Sequence, residues 1–152
     1  MKAGCAVRTL LAAVSLLLLA EPSWAVLGER VDSLAADRQR LHGEMRSSAG
    51  EGFSVYEITA ADGTVVRQYA STSGRVFAVS WRGPFVPDLA QLLGSYFPDF
   101  QQAAHSAVRR RGPLVARTSR LVVATGGHMR AFHGLAYIAG ELPPAVPEGV
   151  VR

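Results

Sequence analysis

The sequence predicts an α+β domain: an antiparallel β-sheet with a kinked amphipathic helix packed across one face. Three observations point there. Residues 75–82 read RVFAVSWR, with Phe77, Val79 and Trp81 on one side of an extended chain and Val76, Ala78 and Ser80 on the other. That period of two marks a half-buried strand. From Leu89 the apolar residues fall at Leu92, Leu93, Tyr96, Phe97 and Phe100, a helical stripe. Between the two lie Gly83, Pro84 and Pro87, which stop a strand because proline offers no N–H to a ladder.

In chain order, Lys2 and Arg8 precede an apolar run from Leu10 to Ala20, and Ser23-Trp24-Ala25 supplies a small-x-small site. This pattern predicts a secretory signal peptide over residues 1–25, cleaved before Val26. The apolar run is about half the roughly 20 residues a bilayer span requires, so no span is expected after cleavage. Cys5, the only cysteine, would leave with that peptide, and the mature chain would form no disulfide.

Residues 26–52 read as an N-terminal helix and a linker. Leu34, Leu41 and Met45 lie among charged residues between Gly28 and Arg46, and Ser47 to Gly52 is polar and glycine-bearing. Residues 53–142 are expected to hold the compact domain. Its first part is a three-strand meander. Phe53–Ala60 and Thr64–Ala70 are joined through Asp62-Gly63, a strong hairpin signal, and a glycine-bearing turn leads on to Arg75–Arg82.

Asp88 is the expected N-cap of a helix running to Arg111. Gly94 and Pro98 stand four apart, and a proline ring crowds the carbonyl four residues back. The spacing therefore predicts a kink, or two abutting helices, with the apolar stripe kept on one side. Arg109, Arg110 and Arg111 close the helix, where cations oppose the negative end of its dipole. A docking patch for an acidic partner is the functional alternative for that triplet.

Leu114–Ala116, Leu121–Thr125 and His128–His133 are further strand candidates, with Leu135–Ile138 extending the last. Residues 143–152, rich in proline, are expected to lie extended over the surface.

Composition narrows the function. Without Lys2, Arg8 and Glu21 the chain keeps 14 arginines, no lysine and 11 acidic residues, a net charge of +3. Arginine suits phosphate and carboxylate recognition. The scatter of these arginines and the small excess fit codon usage in a GC-rich genome better, and no basic stripe interleaved with aromatics points to nucleic acid.

The motifs SGRVFAVSWRGPFVPDLAQLLGSYF and GGHMRAFHGLAYI, behind a signal peptide, resemble a family of exported proteobacterial proteins known as domain of unknown function 2844. The resemblance runs from about Tyr56 to the tail. It implies export and a single compact domain, and it carries over no catalytic residue. Trp81, Gly83, Pro84, Asp88, Gly126, Gly127, His128, Met129 and Phe132 are the positions that match the family pattern.

Chemistry concentrates in residues 126–134. On an extended strand His128, Arg130 and Phe132 share one face and His133 takes the other, so the two histidines would not meet at one metal. Neither an HExxH nor a cysteine-bearing metal pattern occurs, and no cofactor is implied. His128 with Arg130 can hold a small anion. Alternatively, His128 bonds a turn carbonyl and Arg130 covers an aromatic ring. Ser80, Ser95 and Ser106 lack the G-x-S-x-G setting of an activated nucleophile. Asp88 and Asp99 would stand about 16 Å apart along a helix, too far for paired-carboxylate chemistry.

These readings give an exported periplasmic or secreted binding or accessory protein, non-enzymatic, whose contact rim is formed by Trp81–Val86 and Gly126–His133, with Trp81, Arg82, His128, Arg130 and Phe132 as its binding residues. Its partner would be an envelope protein or a small anionic ligand. Two other functions stay open: an envelope hydrolase or transferase with His128 as general base, and a structural part of a cell-surface assembly.

Overall fold

The computed structural model describes residues 27–31, 44–106 and 112–142. The expected signal peptide, the centre of the expected N-terminal helix, the Arg109–Arg111 triplet and the proline-rich tail lie outside these residues.

One seven-stranded antiparallel sheet organises the chain. Its strands are β1 (Glu44–Gly50), β2 (Phe53–Thr59), β3 (Val65–Ser71), β4 (Val76–Gly83), β5 (Leu114–Arg117), β6 (Leu121–His128) and β7 (Ala131–Ile138), in the spatial order β1-β2-β3-β4-β7-β6-β5. The meander is thus four strands rather than three. Glu44–Gly50, expected as the end of a helix and a linker, pairs with β2 along its whole length. EMRSSAG has no alternation to betray a strand; β1 is held by ladder hydrogen bonds, and most of its side chains are exposed.

The segment 27–31 is likewise no free helix. The Leu27 N–H donates to Leu92 O, the Gly28 N–H to Val76 O and the Val76 N–H to Glu29 O, at 3.1, 2.8 and 2.9 Å. It runs beside the start of β4, next to the stretch where β7 takes over as neighbour.

The helical layer divides where Gly94 and Pro98 predict it. Helix α1 (Leu89–Leu93) passes through a 3-10 turn (Gly94–Tyr96) into α2 (Phe97–Ser106). Leu92, Leu93, Tyr96 and Phe100 are buried against Val66, Val79, Trp81, Leu121, Val123, Ala136 and Ile138 of the sheet, so the apolar stripe stays continuous through the break. Arg120, in the β5–β6 turn, lies 4.9 Å from the centroid of the Tyr96 ring and 3.5 Å from Asp99. The arginine over an aromatic ring is therefore Arg120, not Arg130.

Asp88 caps α1. Its Oδ1 accepts from the N–H groups of Ala90 at 2.8 Å and Gln91 at 3.2 Å. Asp88→Ala should cost about 1 kcal/mol, and Asp88→Asn almost nothing, because asparagine caps as well as aspartate. Thermal melting checks it: a fall of about 4 °C for the alanine variant is expected, and equal stability of the two variants contradicts the capping role.

One expectation about β4 is overturned. Val79 and Trp81 face the helices, but Phe77 packs with Tyr69, Ala78, Val122 and Tyr137, a cluster on the far face of the sheet. The cause is a β-bulge. Tyr69 pairs with Ala78 while Ala70 pairs with Val76, so Phe77 is an extra residue in β4. A bulge puts two neighbouring side chains opposite one partner and resets the alternation. Val76 thereby joins the helix face and Phe77 the far face.

Candidate functional site

The far face has two halves. Toward the start of β4 it is closed by the Tyr69–Phe77–Tyr137 cluster, against which Phe53, Val55, Leu135 and Leu142 pack. Toward the end of β4 it opens into a groove of about 450 Å³, with Val65, Ala124 and Leu135 giving apolar surface and Arg67, Arg82 and His133 giving charge or polarity.

Strand register explains why these side chains converge. Ser80 pairs with Arg67 on one side and Leu135 on the other, and Arg82 pairs with Val65 and His133. Directly opposed residues on neighbouring strands point to the same face. Leu135 faces Ala124, and His133 faces Gly126. A Cβ at Gly126 would lie 3.3 Å from both His133 Nε2 and Pro113 Cβ. The bare glycine is what lets the imidazole and the proline ring close that wall. Ser80 is buried at the floor, while Arg82 and His133 are exposed.

The electrostatics favour an anion. Arg67 Nε donates to Glu57 Oε2 at 2.7 Å, so much of its charge is balanced. Arg82 forms no ion pair among the described residues, leaving it as the uncompensated cation of the groove.

The five rim residues read from the sequence separate. Arg82 lies in the groove. Trp81 borders it, yet its side chain belongs to the helix-side core and is 2% exposed, with its indole lying over Gly134. Trp81 is therefore a packing residue. Phe132, half-buried, follows Gly134 and Ala136 on the helix face. Arg130 sits in the β6–β7 turn with φ of 64°, a backbone conformation that costs a non-glycine residue roughly 1 kcal/mol.

His128–His133 is not one strand. His128 ends β6 and pairs with Ala131 of β7, and Met129-Arg130 makes the turn. This reverses the expected relation of the histidines. Because His128 opposes Ala131, and Ala131 alternates with Phe132 to His133, both histidines belong to the far face. The sequence does hold the signal, in Gly-Gly before His128 and Gly134 after His133, but that pattern suits a single strand just as well.

His128 is exposed, and its Nδ1 lies 3.3 Å from Met129 O. Among the described residues no hydrogen bond joins Ser80 to either His128 or His133. The nucleophile–base contact that activates a serine is thus not made here. Nor, among them, does any group of three His, Cys, Asp or Glu side chains stand close enough to hold a metal ion. No described helix is long and apolar enough to cross a membrane.

Sequence reasoning missed Arg67 and weighed Ser80 only as a nucleophile, and it placed His133 in the contact segment without naming it as a binding residue. Each is identified only through the register that sets it beside Arg82, and register is a long-range property.

No curated protein and no solved structure matches the chain. A family described as protein of unknown function DUF2844 matches residues 23–150, which takes in every described strand, both described helices and the whole groove. The chain belongs to the DUF2844 family.

Proposed function

We propose that this is an exported, non-enzymatic binding protein of the cell envelope, and that its ligand is a small amphiphilic anion such as an acyl carboxylate, seated in the far-face groove. The observation that carries the ligand class is the lining: apolar Val65, Ala124 and Leu135 at the centre, with the unpaired Arg82 guanidinium and the His133 imidazole on the wall. The volume of about 450 Å³ falls within the range of ordinary small-molecule pockets. An apolar chain would cover the central side chains, and the acid group would accept hydrogen bonds from the two donors. Lys2 and Arg8, with the apolar stretch from Leu10 to Ala20 after them, support export.

Titration with octanoate and with octan-1-ol tests this reading. Octanoate should bind in a saturable way, more tightly than the alcohol. Arg82→Ala should weaken octanoate about 5-fold, the scale of one exposed charge pair, while leaving the alcohol and the melting temperature almost unchanged. Octanoate binding that ignores Arg82, or no saturable binding at all, would falsify the anion reading.

A further inference from the structure

A second cavity, of about 280 Å³, lies on the helix face, between β3 and the loop that leads into α1. Its chemistry is opposite to that of the far-face groove. The charged side chains of its described lining are the carboxylates of Asp62 and Asp88, both exposed at its mouth. Gln68 is 1% exposed, and among the described residues its Oε1 has no hydrogen-bond partner; the buried Thr64 Oγ1 has none there either.

An amide oxygen taken out of water and left unpaired is costly, and such groups in folded proteins nearly always find a partner. Thr64 and Gln68, which carry these two orphaned oxygens, both line the same cavity. Thr64 and Gln68 lie four residues apart along β3, about 13 Å at the rise of an extended strand. Between them on the same face sits Val66, with Leu92 of α1 across the cavity. The lining thus presents oxygen at both ends, hydrocarbon in the middle and negative charge at the mouth.

We propose that this cavity binds a small aliphatic amine, and an α,ω-diamine in particular. One ammonium group would donate to Gln68 Oε1. The methylenes would cover Val66 and Leu92, and the second ammonium would be held near Thr64 and the Asp62 carboxylate. Asp62 Oδ1 accepts from the Thr64 N–H at 2.8 Å and Asp88 Oδ1 caps α1, so each carboxylate is fixed in place and keeps its Oδ2 for a ligand. This site shares no lining residue with the far-face groove, and its test is independent of the anion reading.

The probe is cadaverine, added to the full chain and followed by NMR at the Gln68 side-chain amide and the Thr64 backbone amide. Saturable shifts at both are expected, with pentane-1,5-diol at least 10-fold weaker and pentylamine intermediate. Gln68→Met, which keeps length but removes the oxygen, should weaken cadaverine at least 5-fold. Asp62→Asn, which can still accept from the Thr64 N–H, should do the same. If Gln68→Met does not fold, Asp62→Asn alone decides. The proposal is overturned if cadaverine leaves the Gln68 amide unmoved, if the diol binds as tightly as the diamine, or if Asp62→Asn binds cadaverine unchanged. In each of those cases the orphaned oxygens mark no amine site.

Discussion

Trp81→Ala should destabilise the protein by about 4 kcal/mol, the range for truncating a large buried aromatic, and lower its melting temperature by on the order of 15 °C. Trp81 is 2% exposed at the junction of β4, β7 and the helical layer, and belongs to the same cluster as Val66, Val79, Leu93, Tyr96 and Phe100. Deleting the indole opens a cavity between two packed layers, where neither can relax far. Among the described residues its Nε1 has no hydrogen-bond partner, so packing rather than hydrogen bonding holds the ring. Denaturant unfolding monitored by circular dichroism checks this. A variant that keeps wild-type stability would show that the indole is a surface group, as first expected of a contact rim.

Gly134→Ala should have an effect of similar size from the opposite cause. A Cβ at Gly134 would overlap Cζ2 of Trp81 and stand 2.5 Å from Cε2 and 2.8 Å from Cη2 of the same ring. The ring is 2% exposed and packed among Val66, Val79, Leu93, Tyr96 and Phe100, which resist its displacement. Overpacking of this kind costs about 3 kcal/mol, toward the upper end of its usual range. The two changes should also compensate. In a Trp81→Ala background the added methyl enters the cavity, so the double variant should be more stable than the sum of the singles by at least 2 kcal/mol. Simple additivity would mean that Trp81 and Gly134 do not touch.

These two residues also show how far the sequence could be read. The alternation through Val79 and Trp81 and the stripe from Leu92 to Phe100 are local patterns. Both predict the helix-on-sheet core that forms. Asp88, Gly94 and Pro98 act on the backbone within a turn of themselves, and the cap and the break follow where they stand. Phe77 escaped because a bulge is fixed by the pairing of two strands and leaves no mark in either one alone. Strand β1 escaped for a related reason: Glu44–Gly50 carries no apolar alternation and is recruited through its backbone by β2.

The candidate site was legible in part. Arg82 could be picked out as a cation beside a turn. Its neighbours Arg67 and His133 are 15 and 51 positions away in the chain, and only the order β3-β4-β7 brings them together. The histidine segment suffered most. Reading His128–His133 as one strand put its two histidines on opposite sides, whereas the turn at Met129-Arg130 folds the segment back on itself and returns both to one side. A hairpin turn without glycine, asparagine or aspartate at its two central positions carries none of the residues by which such turns are recognised. Arg130 with φ of 64° shows that tertiary pairing has imposed the turn against local preference.

That the far face of the sheet is the binding face is tested most directly by mapping octanoate onto the protein by NMR. Saturable shifts should concentrate at Arg67, Ser80, Arg82, His133 and Leu135, with α1 and α2 unmoved. Shifts confined to the helices, or a spectrum that octanoate leaves unchanged, would contradict it.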